Sequence, residues 1–332
     1  MSILKEVRWG IIGAGDVCEV KSGPAFQNCE NSSLMAVMRR NADKAKDFAM
    51  RHKVPRWYSD ADSLINDPEI NAVYIATPPN SHLEYTIKVA KAGKPVYVEK
   101  PMARNHQECL QMIQICKDHR VPLFVAYYRR SLPNFLKIKE LLEEGVVGDV
   151  RHVNIELNKT LNPDIVRAAR KKDNWRVDPE IAGGGYFYDL ACHQLDILDF
   201  IFGPIKSATG FSGNQAGIYA ADDITVGSFQ FENGILGNGL WCFTAGKSSE
   251  KEITTIIGSR GQISFSYFGD HSVTVMEDVG KTNRYEFDIS PHIQNNLIQT
   301  IVDELTGNGK CPSTGISGAR TAWVMDQICR RV

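Results

Sequence analysis

Short apolar runs alternate with longer amphipathic stretches over the first part of the chain. The apolar runs predict β-strands at 7–13, 33–38, 72–77, 95–100 and 122–128. Apolar residues at helical spacing predict helices between these strands, over 41–52, 82–93 and 105–120. This alternation is typical of βαβ units on a parallel sheet. We therefore predict that residues 1–126 form an α/β nucleotide-binding domain with a doubly wound parallel sheet.

The pattern of elements changes after Tyr128. A helix is predicted over 132–145, a strand over 150–157 and a long apolar helix in the stretch 183–203, after its three initial glycines. Several β-type segments with Asn-Gly and Ser-Arg-Gly turn signals follow, at 224–243, 252–267, 271–278 and 283–289. We predict for residues 127–332 a second, α+β domain with an open, largely antiparallel sheet. The closing helices, from about residue 292 to residue 332, are candidates for packing back on the first domain.

The long apolar helix carries polar residues on one side. Asp189, His193 and Asp196 fall within roughly 60° of one another at 100° per residue, so we expect a polar seam there. Gln194 and Asp199 fall outside this seam. On this segment alone two interpretations stay open: a satisfied buried Asp–His pair or helix cap, and part of a functional site.

Charge and composition argue against several classes of protein. The 332 residues carry a formal net charge of −1, which gives no electrostatic reason to expect nucleic acid or an anionic membrane as partner. The densest basic patch, at 167–176, is interpreted as a solvated loop or helix face. No apolar run has the length of a membrane span and the first residues lack the apolar core of a signal peptide, so we expect a cytoplasmic protein.

The eight cysteines form no C-x-x-C pair and no Cys/His cluster at zinc spacing. We therefore expect reduced thiols, no disulfide framework and no bound metal.

GIIGAGDVCEV (10–20) follows the first strand and precedes a predicted helix, which is the context of a dinucleotide fingerprint. Gly13 and Gly15 would provide the tight turn and the close backbone approach to a pyrophosphate. Asp16 and Val17 begin the helix whose N-terminus faces that charge. Cys18 occupies the third glycine position. The alternative is a glycine turn that binds nothing.

The second strand ends in VMRRN (37–41), without the acid that accepts the ribose hydroxyls of NAD. Arg39 and Arg40 instead suggest a clamp for a 2′-phosphate, because a guanidinium binds phosphate bidentately and stacks on adenine. We therefore favour NADP(H) over NAD(H), against the alternative of two solvent-facing arginines.

ATPPNSH (76–82) lies at the carboxyl edge of the next strand of the chain. Its prolines break the strand, so the backbone there can pass under the ribose of the cofactor. The candidate contacts are Thr77, Pro78, Asn80 and His82. His82 is equally compatible with a surface position in the first turn of the following helix.

VEKPMA (98–103), taken with the fingerprint, TPPNSH and the late GGG-x-x-x-D-x-x-x-H, resembles the glucose-fructose oxidoreductase / inositol dehydrogenase (Gfo/Idh/MocA) family over nearly the whole chain. The resemblance implies a Rossmann-type N-terminal domain, and a C-terminal substrate and oligomerisation domain on an open mixed sheet. It also implies an NAD(P)-dependent dehydrogenase or reductase of sugars, polyols and related carbonyl compounds. A homodimer or homotetramer formed through that sheet is expected.

The resemblance assigns catalytic roles to three residues. Lys100 matches the family's catalytic lysine, and Asp189 and His193 match the acidic and histidine members of its active site. Lys100 would donate a hydrogen bond to the reacting oxygen, and His193 would exchange the hydroxyl proton. Asp189 would bind a neighbouring hydroxyl or orient His193. Which of Lys100 and His193 is the formal general acid/base stays open, as does the choice for Asp196 between substrate support and a structural hydrogen bond.

The resemblance assigns cofactor contacts as well. Arg40 matches the arginine on the 2′-phosphate, and Glu99 matches the lysine's cofactor-contacting neighbour. Trp175 and Arg176 of NWR (174–176) look like the residues that lie against the nicotinamide. The segment YYRR (127–130) departs from the family pattern, and Arg129 in it is kept as a cofactor-binding candidate.

The leading hypothesis is an NADP(H)-dependent oxidoreductase that acts on a sugar, a sugar derivative or a polyol. One alternative is a non-catalytic dinucleotide-binding sensor or regulator, against which the presence of Lys100, Asp189 and His193 argues. The other is an enzyme whose tightly bound cofactor is recycled within a hydrolase or epimerase cycle.

Overall fold

The computed structural model of the protein describes residues 3–161 and 174–330. The chain divides into two compact units, one formed by Met1–Ser131 with Ser290–Ala319 and the other by Leu132–Ile289 with Arg320–Val332. Residues 167–173 of the basic patch lie outside the described residues. Within the described part of the chain, no helix combines the length and the apolarity needed to cross a membrane.

Six parallel strands form the sheet of the first unit. They are β1 (Val7–Ile12), β2 (Ser32–Met38), β3 (Arg56–Tyr58), β4 (Ala72–Ile75), β5 (Val96–Val98) and β6 (Leu123–Val125). The helices that alternate with them are α1 (Asp16–Val20), α2 (Gly23–Asn28), α3 (Ala42–Arg51), α4 (Ala61–Asn66), α5 (His82–Lys91) and α6 (His106–Asp118). The strand order β3-β2-β1-β4-β5-β6 is that of doubly wound dinucleotide-binding sheets, so the predicted fold is confirmed here.

The sequence pattern does not predict β3, α4 or the division of the helix after the fingerprint into α1 and α2. β3 has three residues and lies at the edge of the sheet beside β2, and α4 has six residues, so both are too short to show a period. Gly23, the first residue of α2, lies close against α1. A Cβ on Gly23 would lie 2.2 Å from the carbonyl oxygen of Cys18, so no side chain fits there.

An aromatic cluster fills the core on one side of this sheet. The rings of Trp9 and Phe26 lie 4.9 Å apart, and those of Tyr74 and Tyr97 stack at 4.7 Å. All four side chains are fully buried, and Tyr74 pairs with Tyr97 across β4 and β5. Buried phenol hydroxyls need hydrogen-bond partners, so these two tyrosines require polar groups inside the unit.

Eight strands form the sheet of the second unit. They are β7 (Val150–Thr160), β8 (Ile205–Gly213), β9 (Ile224–Phe231), β10 (Leu236–Ala245), β11 (Lys251–Gly258), β12 (Gly261–Phe265), β13 (Val273–Glu277) and β14 (Thr282–Tyr285). The order is β14-β13-β12-β11-β7-β10-β9-β8. Neighbours are antiparallel except β7 and β10, which are parallel. The prediction of a largely antiparallel, mixed sheet is therefore confirmed. The sequence pattern does not predict β8, an edge strand with few buried positions.

The helices of this unit include α7 (Pro133–Glu143), α8 (Pro179–Ala182) and α9 (Cys192–Phe202). A π-helical turn over Phe187–Ala191 directly precedes α9. The ring of Phe187 meets that of Trp241 on β10 edge-on at 5.0 Å, and both side chains are buried. The segment that carries the polar seam is thus packed against the sheet.

The end of the chain adds α10 (Asn295–Thr306) and α11 (Gly315–Ile328). α10 groups with the first unit, where the N–H of Leu4 donates to the carbonyl of Leu305. α11 belongs to the first unit up to Ala319 and to the second unit from Arg320 onward.

Candidate active site

The loop after β1 has no space for a side chain at Gly13 but has space beside Gly15. Gly13 has a φ of +87°, which favours glycine, and a Cβ there would lie 2.6 Å from Cγ2 of Thr77. At Gly15, the atom nearest to an added Cβ is the oxygen of Gly13, 3.8 Å away. The loop lies between β1 and β4, where the strand order reverses and where such sheets bind ligands. This geometry fits a diphosphate that approaches the open glycine.

Three residues begin α1 after this loop. Asp16 is exposed, Val17 is half-buried and Cys18 is fully buried. The N–H of Cys18 donates to the carbonyl of Gly15 at 2.9 Å. Burial raises the pKa of the Cys18 thiol to about 12, so the residue in the third glycine position is an uncharged part of the core.

Two arginines follow β2 without a counter-charge. Arg39 is half-buried and Arg40 is exposed. The backbone N–H of Arg39 donates to the carbonyl of Tyr58, and Asn41 caps α3 by accepting from the N–H of Lys44. No side chain of the described residues forms an ion pair or hydrogen bond with either guanidinium. Both cations are therefore available to a ligand.

His82 is an interior residue, and the interpretation that places it on the surface is wrong. Its side chain is fully buried at the start of α5. Nε2 lies 2.7 Å from the carbonyl oxygen of Thr77, and Nδ1 lies 3.1 Å from that of Met102. Burial lowers the pKa of the imidazole. His82 thus joins the loop after β4 to the loop after β5, whereas Asn80, two residues earlier, is exposed.

Lys100 follows β5, is half-buried and precedes Pro101 through a cis peptide bond. Its backbone N–H donates to Oε2 of Glu99 at 3.0 Å. Oε1 of Glu99 accepts from the hydroxyl of Tyr74 and, at 2.7 Å, from Nε2 of Gln294. The hydroxyl of Tyr97 donates to Oε1 of Gln294 at 2.8 Å. Glu99 is therefore held on both carboxylate oxygens by groups of the protein.

Sequence reasoning did not find Gln294. The residue stands just before α10, is fully buried and lies 195 positions from Glu99 in the chain. No local motif marks it, so only the three-dimensional structure could reveal this contact.

Arg129 lies in a 3₁₀ turn after β6 and is buried. Its Nη1 donates to the hydroxyl of Tyr128 at 2.8 Å, and its guanidinium lies 4.9 Å from the centre of the same ring. The structure thus places this predicted cofactor-binding residue against Tyr128.

In the second unit, the expected regular α-helix through the polar seam is wrong at its start. Asp189 lies in the π-helical turn, and α9 begins at Cys192. A π-turn holds one more residue per hydrogen-bonded ring than an α-turn and often occurs at functional sites, so the 100° step does not relate Asp189 to His193. A carboxylate oxygen of Asp189 lies 3.5 Å from Nε of Arg176.

α9 buries polar residues inside and outside the predicted seam. His193 is 3% exposed and Asp196 is 1% exposed, and the rings of His193 and Phe268 form an edge-type contact with their centres 6.1 Å apart. Gln194 accepts from the indole N–H of Trp241 at 2.6 Å. Polar residues of α9 are thus buried both inside and outside the predicted seam.

The remaining seam neighbour, Asp199, has a partner on α11. Both oxygens of its carboxylate accept from the guanidinium of Arg320 at 2.7 Å. Asp199, which lies outside the seam, is therefore a buried carboxylate paired with Arg320.

The NWR segment forms a compact hydrogen-bonded turn. Oδ1 of Asn174 accepts from the backbone N–H of Arg176 at 3.2 Å, and its Nδ2 donates to the hydroxyl of Tyr186 at 2.8 Å. The guanidinium of Arg176 lies 4.4 Å from the centre of the Trp175 ring. Trp175, Arg176 and Asp189 are therefore neighbours in this unit.

The glycine triplet before the π-helical turn is explained by packing. A Cβ on Gly184 would lie 2.0 Å from the ring of Tyr188, and one on Gly185 would lie 2.5 Å from Cβ of Ala221. Gly185 also has a φ of +69°. The absence of side chains lets the triplet lie directly against Tyr188 of this turn and against Ala221.

Comparison with known proteins bears on both units. The family profile described as an oxidoreductase family with an NAD-binding Rossmann fold matches residues 7–127, and the GFO/IDH/MocA C-terminal domain matches residues 135–264. The chain belongs to the Gfo/Idh/MocA family. The resemblance stated from the sequence is thus confirmed, and so is the enzyme class of NAD(P)-dependent dehydrogenases and reductases.

Individual proteins resemble this Gfo/Idh/MocA protein to different extents. Oxidoreductase P35 of Formosa agariphila is 42% identical over 323 residues, which cover 97% of this chain and 98% of that protein. D-xylose dehydrogenase of Paenarthrobacter nicotinovorans is 29% identical over 204 residues, 58% of this chain and 52% of its own. A solved structure of levoglucosan dehydrogenase in complex with NADH and levoglucosan has a TM-score of 0.84 at 22% identity and covers 97% of this chain and 96% of that one. That last likeness concerns the fold.

Proposed function

We propose that the protein is an NADP(H)-dependent oxidoreductase that transfers hydride between the nicotinamide and a sugar, a sugar derivative or a polyol. One observation carries the choice of cofactor. Arg39 and Arg40 follow β2 where an acid would accept the ribose hydroxyls of NAD, and no side chain of the described residues neutralises them. A 2′-phosphate would supply a negative charge opposite the two arginines, together with the acceptor oxygens that guanidinium groups bind.

The other residues proposed to hold the dinucleotide lie in two regions of the chain. One region follows the carboxyl ends of the parallel strands, and the other is the NWR turn. These residues are Gly13, Gly15, Asp16, Val17, Thr77, Pro78, Asn80, His82, Glu99, Lys100, Arg129, Trp175 and Arg176. His82 and Glu99 are bound inside the protein, so we assign them the positioning of loops that contact the cofactor.

The proposed substrate class has two supports. Two similar proteins are named for D-xylose and levoglucosan, both of them carbohydrates. The carboxylate of Asp189 and the guanidinium of Arg176, 3.5 Å apart, offer an acceptor beside a donor. Hydroxyl groups both donate and accept hydrogen bonds, so this pairing suits a compound with several hydroxyls.

In this proposal, the bound nicotinamide supplies or accepts the hydride. The ammonium of Lys100 donates a hydrogen bond to the reacting oxygen and stabilises its alkoxide character. His193 gives a proton to that oxygen during reduction and removes one during oxidation. Asp189 accepts a hydrogen bond from a neighbouring hydroxyl and so fixes the orientation of the substrate.

The cofactor assignment is tested by fluorescence titration of the full-length protein with NADPH and NADH. We expect wild type to bind NADPH more tightly. Arg40→Ala removes charge-assisted hydrogen bonds worth about 1.5–3 kcal/mol, so it should weaken NADPH binding by about 10- to 100-fold and leave NADH binding unchanged.

Arg51→Ala is the matched control, because Arg51 on α3 already forms an ion pair with Glu19 at 2.7 Å. This variant should keep the NADPH affinity of wild type. Tighter binding of NADH than of NADPH by wild type would overturn the cofactor assignment.

A further inference from the structure

The orientation of one amide group fixes the direction of a hydrogen bond in the second unit. Oδ1 of Asn174 accepts from the backbone N–H of Arg176, which can only donate. Nδ2 of Asn174 is therefore the atom that faces the hydroxyl of Tyr186, at 2.8 Å. An amide nitrogen can only donate, so the phenol oxygen of Tyr186 is the acceptor in this contact.

The hydroxyl hydrogen of Tyr186 is left for another partner. Among the residues that the structure describes, none accepts it. The side chain is half-buried, and its burial raises the pKa of the phenol, so the hydrogen stays in place at neutral pH. Leaving a partly buried donor without an acceptor is unfavourable. This hydroxyl is thus poised to donate to an incoming group.

The surroundings of Tyr186 suggest which group that is. Its ring meets Tyr219 edge-on at 5.9 Å and Phe243 at 5.7 Å, which fixes the apolar end of the side chain. Its polar end belongs to the NWR turn, where Arg176 pairs with Asp189. The turn therefore offers a phenol donor close to a donor and an acceptor that already face each other.

We propose that Tyr186 donates its hydroxyl hydrogen to a hydroxyl oxygen of the substrate and is a specificity-determining residue for polyhydroxy compounds. This inference rests on the proposed function, since it names a contact to the same substrate. The preferred ligand is a carbohydrate or polyol with neighbouring hydroxyls, of which one accepts from Tyr186 and another pairs with Asp189 and Arg176.

Binding is measured by titration calorimetry on the full-length protein saturated with NADP⁺, with D-xylose, D-glucose, levoglucosan and myo-inositol as probes. Calorimetry reports binding whether or not turnover occurs. We expect Tyr186→Phe to weaken the best-bound probe by about tenfold, the effect of one hydrogen bond of roughly 1 kcal/mol or slightly more. The affinity for NADP⁺ should not change.

Tyr219→Phe is the matched control. Tyr219 is 8% exposed in an apolar cluster with Val177 and Ala221, and its hydroxyl has no partner among the described residues. It contacts the ring of Tyr186 edge-on but is not assigned to the substrate. Removal of its oxygen should leave the affinity for every probe unchanged.

A second variant separates hydrogen donation from packing. In Asn174→Asp, one carboxylate oxygen can still accept from Arg176 while the other accepts from the hydroxyl of Tyr186 and turns its hydrogen away from the substrate. We expect the same loss of probe affinity as in Tyr186→Phe, with no further loss in the double variant.

The outcomes of this experiment are distinct. Unchanged probe binding by Tyr186→Phe, an equal loss in Tyr219→Phe or additive losses in the double variant would each overturn the assignment of Tyr186. Probe binding by wild type without any hydride transfer would overturn the proposed function and leave the assignment of Tyr186 supported by the variants. Absence of binding of every probe to wild type would contradict both.

Discussion

At the scale of single residues, the backbone of Lys100 is held in place by a hydrogen bond to Glu99, which other buried residues hold in turn. Its N–H donates to Glu99, and Glu99 is fixed by Tyr74 and Gln294. A carboxylate only accepts hydrogen bonds, so the amide of Gln294 turns its Nε2 toward Glu99 and its Oε1 accepts from the hydroxyl of Tyr97. A residue far away in the sequence thereby acts on the position of the proposed catalytic lysine.

Gln294→Leu tests this chain of contacts. The leucine leaves the buried hydroxyl of Tyr97 without its acceptor and Glu99 with one donor fewer, each at a cost of about 1–3 kcal/mol. We expect a fall in Tm of several degrees together with a lower kcat. The measurements are thermal unfolding and steady-state kinetics at saturating cofactor.

The control for this variant is Gln299→Leu on α10. Gln299 is half-buried and bonds to the N–H of Glu30 and to Asp303, remote from Lys100 in the hydrogen-bond network. It should lower Tm but leave kcat intact. An equal loss of kcat in both variants would contradict a specific role of Gln294 in positioning Lys100.

At the scale of elements, α1 and α3 are joined by a charged cluster. Arg51 donates two hydrogen bonds to the carboxylate of Glu19, at 2.7 and 2.8 Å, and Nε2 of His52 lies 2.8 Å from the same carboxylate. The hydrogen bonds from Arg51 lower the pKa of Glu19 from 4.5 to about 2. The folded state therefore holds this carboxylate ionised where the unfolded chain would protonate it.

The stability of the protein should follow this pKa. The contribution of Glu19 is fully present above pH 4.5 and is lost as the pH falls through about 2. Glu19→Gln should have a lower Tm than wild type at pH 7, and the difference should shrink between about pH 5 and pH 2. Thermal unfolding across this pH range measures the effect.

Glu84→Gln on α5 provides the comparison, because the carboxylate of Glu84 is 64% exposed and lies 3.6 Å from Lys88. Its Tm should follow that of wild type at all pH values. A constant Tm difference for Glu19→Gln over the whole range would show that the Glu19 cluster does not act through its charge.

Elements with long periodic patterns could be predicted from the sequence, whereas elements without a local signal could not. β1, α3 and α6 each present several apolar residues in a regular pattern, and their predicted spans differ from the observed ones by at most two residues at each end. β3 offers only three residues, and β8 alternates weakly because only two of its nine positions are buried. The π-helical turn is hidden because its apolar residues also fit an α-helix.

In the candidate site too, residues with a local sequence signal could be predicted and residues without one could not. Glycines and arginines at the ends of strands carry a local signal, so Gly13, Arg39 and Arg40 could be selected as candidates from sequence. The interior position of His82 depends on carbonyl groups of Thr77 and Met102, which no pattern near His82 reveals. Partners brought together by the fold are beyond the reach of spacing rules.

At the scale of the whole molecule, the proposed roles are carried by both compact units. Lys100, Arg39 and Arg40 belong to the first unit, and Asp189 and His193 belong to the second. Binding of NADP(H) alone does not test the proposed catalytic activity, because a non-catalytic sensor would also bind it. A chemical step that depends on Lys100 is required to separate an enzyme from a sensor.

The most direct measurement is rapid mixing of the NADPH-loaded protein with a panel of carbonyl sugars, followed by the loss of NADPH fluorescence in wild type and Lys100→Met. We expect net oxidation of NADPH by wild type with at least one sugar, and a rate about 100- to 1,000-fold lower in Lys100→Met at saturating NADPH. Retention of NADPH with every sugar, or an undiminished rate in Lys100→Met, would contradict the proposed catalytic activity.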